Sequence, residues 1–207
     1  MLVEIIVTLV AVVLIGWVAA WMFAQKPVTN AQQLIQANRY EEALIAARPE
    51  DHLHRAEALK LLGRFDDAIA EYSQADDPAA REGIALSLAH LGRDLDTAKR
   101  LLEETIALHP QIQEFQALEL AYVLLRRGER EEALRVFGDN VELLETRFRD
   151  DYTDPDPLLA ETLVLFAALS EAAGDTARAT ALRAQAARWA PGSVWNSEGT
   201  NLRSPQT

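Results

Sequence analysis

Histidines and paired carboxylates are the residues here whose types invite chemistry. The four histidines are His52, His54, His90 and His109. His52 and His54 stand two apart, which on a helix points them about 200° from each other. Two ligands on one helix face need a spacing of three or four. His109 precedes Pro110, where a helix should end and histidine meets the last carbonyls. No metal site is expected. The carboxylate pairs Glu41–Glu42, Asp66–Asp67, Glu103–Glu104 and Glu131–Glu132 could move protons if they were buried. They read instead as exposed helix starts, where acidic side chains meet the positive end of the helix dipole. The chain has no Gly-rich phosphate loop and no G-x-S-x-G elbow. It has no cysteine, which excludes a disulfide framework, a thiolate-held metal and an acylated anchor. No catalytic residue, cofactor or small-molecule substrate is therefore expected, and the chain does not read as an enzyme.

The surrounding elements explain this better. Hydrophobic residues make up 49% of 207, enough for a core. After the first two dozen positions the chain is rich in Ala, Leu, Glu and Arg, which favours helix. The formal charge is −12 and nearly all of it falls after Lys26. Such a surface repels nucleic acid and anionic headgroups.

From Ile5 to Ala24 no residue is charged. Twenty residues at 1.5 Å each span ~30 Å, the thickness of a bilayer's hydrocarbon core. Trp17 and Trp21 fall near one end, where aromatic rings sit at headgroup level. A cleaved signal peptide would want a basic start and a shorter apolar run. Residues 1–25 are therefore expected to be a single membrane-spanning helix, followed by a linker over 26–30. Lys26, Arg39 and Arg48 follow the span and no basic residue precedes it, which orients the rest toward the cytoplasm. Gly16, Ala20 and Ala24 repeat every four residues, the small-residue stripe along which membrane helices approach closely.

Five later segments share one pattern: NRYEEAL (38–44), GRFDDAI (63–69), GRDLDTAK (92–99), GEREEAL (128–134) and GDTARAT (174–180). Each is a turn residue, a short spacer, then an Ala opening an amphipathic helix. Gly ends the preceding helix because it adopts the left-handed cap conformation. Ala43, Ala68, Ala98, Ala133 and Ala179 should sit where two helices cross too closely for a larger side chain. Four residues on, Tyr72, Leu102 and Phe137 pack one turn further along. The pattern predicts helices over 30–37, 40–47, 51–62, 65–75, 78–91, 95–108, 112–127, 130–148, 157–173 and 176–189.

This resembles the tetratricopeptide repeat (TPR), through A-x3-F, a following Pro (Pro110, Pro191) and the preceding G-x-(Y/F) turn. The family's small residue on the first helix falls on Ala56, Ala121 and Ala167, with Leu86 as the exception. The family's Trp and Tyr on that helix are absent. The alanines are 25, 30, 35 and 46 residues apart, against the family's 34. The first unit is truncated at Pro49, and the last gap holds an insertion around residues 147–157. The expected fold is all-α, a short TPR-like solenoid over 31–191 after the membrane helix. The tail, 192–207, reads as polar and flexible, with Trp195 folding back on the last helix.

The resemblance implies a concave groove lined by the first helix of each unit. Position by position it falls on Leu53, Glu57 and Lys60; Gly83, Ser87 and His90; Phe115, Leu118, Tyr122 and Leu125; and Val164, Ala168 and Glu171. The family's Lys and Asn clamp for a terminal carboxylate is missing. The third unit's residues are apolar to aromatic, which suits an apolar helix or extended segment of a protein partner. The layout, a span followed by such repeats, is similar to bacterial envelope-assembly proteins. The expectation is a single-pass scaffold in the bacterial inner membrane that gathers membrane-associated proteins during complex assembly or regulation. The alternative is a permanent accessory subunit held through its span.

Overall fold

The computed structural model describes residues 30–108, 113–150 and 154–196. The apolar run with Gly16, Trp17, Ala20, Trp21 and Ala24 lies outside them, as do His109 and Pro110. Among the described residues no helix is long and apolar enough to cross a membrane. The described residues form ten α-helices and no strand. They are α1 Ala31–Gln36, α2 Tyr40–Ala46, α3 His52–Leu61, α4 Phe65–Tyr72, α5 Pro78–Leu91, α6 Leu95–Leu108, α7 Gln113–Arg126, α8 Arg130–Asp150, α9 Ala160–Ala172 and α10 Thr176–Trp189. Single 3-10 turns at Pro157–Leu159 and Val194–Asn196 precede α9 and follow α10.

Local chemistry accounts for the boundaries. Asn30, Asp77 and Asp175 cap α1, α5 and α10 by accepting backbone N–H groups at 2.8–2.9 Å. Pro78 follows its cap, where its missing N–H costs nothing. Between the helices of each hairpin the turn residue is left-handed: Asn38, Gly63, Gly92, Gly128 and Gly174, with φ from 60° to 93°. Those are the five turn positions read from the repeat. The acidic pairs at 41–42, 66–67 and 131–132 do open helices. Glu103 and Glu104 do not: they lie inside α6, exposed, where they accept hydrogen bonds from Lys99 and Arg100 one turn earlier.

The hairpins α1–α2, α3–α4, α5–α6, α7–α8 and α9–α10 stack in chain order. The five repeat alanines are none of them more than 1% exposed. Tyr72, Leu102 and Phe137 are buried one turn on, so the close crossing and the knob beside it are both present. The truncated unit appears as the seven-residue α2, and the insertion as the extension of α8 to 21 residues.

The stack does not stay open. One core cluster runs through α5 to α10. A second joins the first hairpin to the last, bringing Leu34, Ile35 and Tyr40 against Leu163, Val164, Trp189 and Trp195. Gln36 also donates to Asp156 across 120 positions at 3.2 Å. Each large apolar side chain buried in this seam contributes roughly 1.5–3 kcal/mol. The solenoid thereby closes on itself, and the first helices α3, α5, α7 and α9 turn toward a shared centre.

Candidate binding site

Each of these four helices sends polar side chains into that centre. Lys60 on α3 donates to Glu161 Oε2 on α9 at 2.5 Å, across 101 positions. His90 Nε2 on α5 lies 2.8 Å from Glu161 Oε1. Tyr122 Oη on α7 is 3.4 Å from His90 Nδ1, and Arg126 Nη1 donates to that hydroxyl at 3.3 Å. An ionised Glu161 only accepts, so the network assigns the His90 proton to Nε2 and leaves Nδ1 to accept from Tyr122. The Lys60, His90 and Glu161 side chains are 13%, 1% and 5% exposed.

The electrostatics follow from that burial. Burial alone would push the Glu161 carboxyl up. Lys60, followed by the His90 hydrogen bond, outweighs it and lowers the pKa to about 2. Burial likewise works against the Lys60 ammonium, but the Glu161 carboxylate overrides it and the net direction is up. Burial raises the Tyr72 hydroxyl beside Lys60 to about 12. The pair is a charged pin between the first full hairpin and the last.

A cavity of about 130 Å³ adjoins the pin, lined by α3, α4, α5, α7, α9 and Leu158. Of its lining residues Ala79 is exposed, and Leu53, Glu82 and Thr162 are half-buried. Glu57, Glu82 and Glu119 join Glu161 in the wall, against the single cation Lys60. Gln116 donates to Glu82 at 2.6 Å. Glu119 Oε2 is closed to solvent and has no hydrogen-bond partner. Burial, then the nearby Glu82 and Glu161 charges, raise the Glu119 carboxyl well above the usual range. Burial raises Glu57 as well.

Aromatic rings close the other side of His90. Phe65 stacks on it at 5.1 Å, and Trp195 and Tyr122 lie 4.8 Å and 5.4 Å away. Trp195 folds back as its place in a polar tail suggests, but reaches past α10 to α4 and α5. Its neighbour Val194 passes the α3–α4 turn so closely that a Cβ on Gly63 would stand 3.1 Å from Val194 Cγ2.

The groove positions read from the resemblance therefore divide. Leu53, Glu57, Lys60 and Gly83 line the cavity, and His90 and Tyr122 join the polar network. Ser87 is buried and donates back to the Gly83 carbonyl. Leu118 and Val164 are core, and Phe115, Leu125 and Ala168 pack against that core. Glu171 is exposed and paired with Arg183. Of the apolar members of the expected groove, Leu118, Tyr122 and Val164 are buried and Leu53, Phe115, Leu125 and Ala168 half-buried, and the opening at the centre is lined mainly by acidic side chains. His52 and His54 are held by Glu71 and Asp51 at 2.8 Å and 2.7 Å. Among the described residues no cluster of His, Asp or Glu could hold a metal ion.

The reading by repeats missed Glu161, Glu119, Glu82 and Arg126. A signal was available for the first two. Glu161 opens AETLVLFAALSEA and Glu119 sits in QALELAYVLL, each a carboxyl on a helix otherwise apolar on most sides. A charge on such a helix is buried with a partner or serves a site.

No family model matches the chain, and no curated protein matches it. Among solved structures it is similar to a kinesin-light-chain-type protein of Podosopora anserina with nearly identical TPR-like repeats. The two are 17% identical with a TM-score of 0.47, over 77% of this chain and 90% of that one.

Proposed function

We propose that this chain is a membrane-tethered interaction scaffold of the tetratricopeptide type, acting in the assembly or regulation of a membrane or envelope complex. The observation that carries the reading is the hairpin array itself: five helix–turn–helix units in register, each closed around a buried alanine. Such an array offers broad helical surface for protein partners. Its inner helices are committed to one another, so partners meet the second helices. Those carry Ile45, Leu108 and Leu143, the exposed large apolar side chains among the described residues. The apolar run 5–24 supports a single span in the bacterial inner membrane, with the solenoid on the cytoplasmic side.

The test is capture of partners by the intact protein from mild detergent, compared with two variants. Ile45→Glu with Leu143→Glu should lose the partners while keeping helicity. Replacing residues 5–24 by an unrelated apolar helix should keep them. Loss of capture on the span exchange alone would favour the accessory-subunit reading, in which Gly16, Ala20 and Ala24 form the contact.

A further inference from the structure

We infer that Phe65, His90 and a notch at Gly63 form a recognition site for a β-branched residue followed by an aromatic one. Val194 and Trp195 occupy it as an intramolecular ligand, which a partner protein's segment of the same chemistry displaces. The inference goes beyond the scaffold reading, and it holds or fails independently of docking on the second helices.

The site is built without help from its occupant. His90 lies near the end of α5, and its ring is fixed at both nitrogens: Nε2 on Glu161 at 2.8 Å, Nδ1 facing Tyr122 Oη at 3.4 Å. Phe65, the first residue of α4, stacks on that ring at 5.1 Å and 19° from parallel. None of these contacts uses the segment after α10. A preorganised site loses little freedom when a ligand arrives. Beside the rings, Gly63 leaves a notch. A Cβ there would stand 3.1 Å from Val194 Cγ2 and 3.2 Å from Val194 Cβ, so a side chain would crowd the occupant. The left-handed turn, φ 75°, keeps the position glycine for a second reason.

The occupant fills both points. The Trp195 ring lies 4.8 Å from His90 and 6.1 Å from Phe65, and the residue is 4% exposed. Both separations fall in the roughly 4.5–7 Å range at which aromatic pairs attract. The Ser193 hydroxyl donates to the Ala190 carbonyl at 2.7 Å and accepts from the Trp195 N–H at 3.2 Å, which sets the turn that carries the pair.

Two features make this occupant exchangeable. Its indole Nε1 is buried with no hydrogen-bond partner. A donor stranded in this way costs free energy, so the resident segment holds less tightly than its packing alone would give. The link to α10 is also lightly held. Pro191 and Gly192 are exposed, and a Cβ on Gly192, at φ 80°, would meet nothing within 4 Å. The segment can therefore swing away while α10 stays in place.

The test is fluorescence anisotropy of a dye-labelled peptide amide spanning residues 191–196, titrated with the full-length protein in nonionic detergent. The Trp195→Ala protein, once shown to be folded by circular dichroism, should bind the peptide. The wild type should bind it roughly a hundredfold more weakly, because a tethered segment competes at an effective concentration near millimolar. The same peptide with the Trp195→Ala change should bind neither protein. Should Trp195→Ala fold poorly, excess unlabelled peptide on the wild type replaces it, and should open the wild type's own Trp195 to chymotryptic cleavage; a Trp195 that stays protected overturns the inference. Light scattering should find the wild type monomeric. A dimer that Trp195→Ala abolishes would mean that copies exchange the segment, and overturns displacement by a partner. Absence of peptide binding to the folded Trp195→Ala protein, or equal binding to both proteins, overturns the site itself.

Discussion

Glu161→Gln should be among the most damaging conservative substitutions in the chain. It leaves the Lys60 ammonium, 13% exposed, without its counter-charge, and takes the carboxylate from His90. Glu161's pKa falls from 4.5 to about 2 in the folded protein. At 1.36 kcal/mol per unit this corresponds to roughly 3 kcal/mol of stability at neutral pH. The same size is expected from breaking one side of a buried pair, ~3–5 kcal/mol. The sign follows from the depressed pKa. The stability is present above the unfolded value and is lost as pH falls toward about 2. The assay is urea unfolding of the full-length protein in detergent, followed by helical circular dichroism. With a slope of ~2 kcal/mol per molar urea, the midpoint should drop by about 1.5 M at pH 7. As pH falls from 4.5 to about 2 the wild type should lose its advantage over Glu161→Gln. The double variant Lys60→Met/Glu161→Gln should recover much of the loss, because it leaves no unpaired buried charge. A single-variant cost below about 1 kcal/mol, or a double variant whose cost is the simple sum, would refute the charged pin.

Three further outcomes follow from individual contacts. Glu119→Gln should raise stability at neutral pH. A carboxyl with a raised pKa stabilises the fold below its unfolded value and loses that as pH rises, so the gain should vanish in acid. Gly83→Ala should cost ~1–3 kcal/mol by thermal melting, since its Cβ would stand 2.3 Å from Tyr72 Cζ. Tyr72→Leu should relieve that cost. Trp195→Ala should cost ~3–5 kcal/mol and expose the C-terminal segment to limited proteolysis, because the ring packs against His90 and Phe65. An unchanged cleavage pattern would mean that the segment is held by something else.

Most helices were legible in the sequence, and their predicted bounds differ from the observed ones by a few residues at most. Asn38, the turn glycines and the alanine five or six positions later mark each hairpin through local sterics, which neighbouring residues decide. The groove was legible only as a set of positions. Lys60, His90 and Tyr122 could be named as facing inward, but not as bonded through Glu161, because no repeat signature marks that residue. Leu118 and Val164 were placed on the correct helices and assigned to a partner that the protein's own core replaces.

By itself, then, the sequence determined the elements of the described solenoid: helix periods, left-handed turns and alanine crossings, all set within about one turn of the residues concerned. Only the tertiary structure decided that the stack closes, that Trp195 crosses to α4 and α5, and that an acidic cavity survives at the centre. The reason is accumulation. The curvature of a solenoid sums small rotations between successive hairpins. With alanines 25 to 46 residues apart, no repeat length fixes that sum in advance. Whether α3 meets α9, and with it whether Lys60 meets Glu161, is settled only when every crossing is packed.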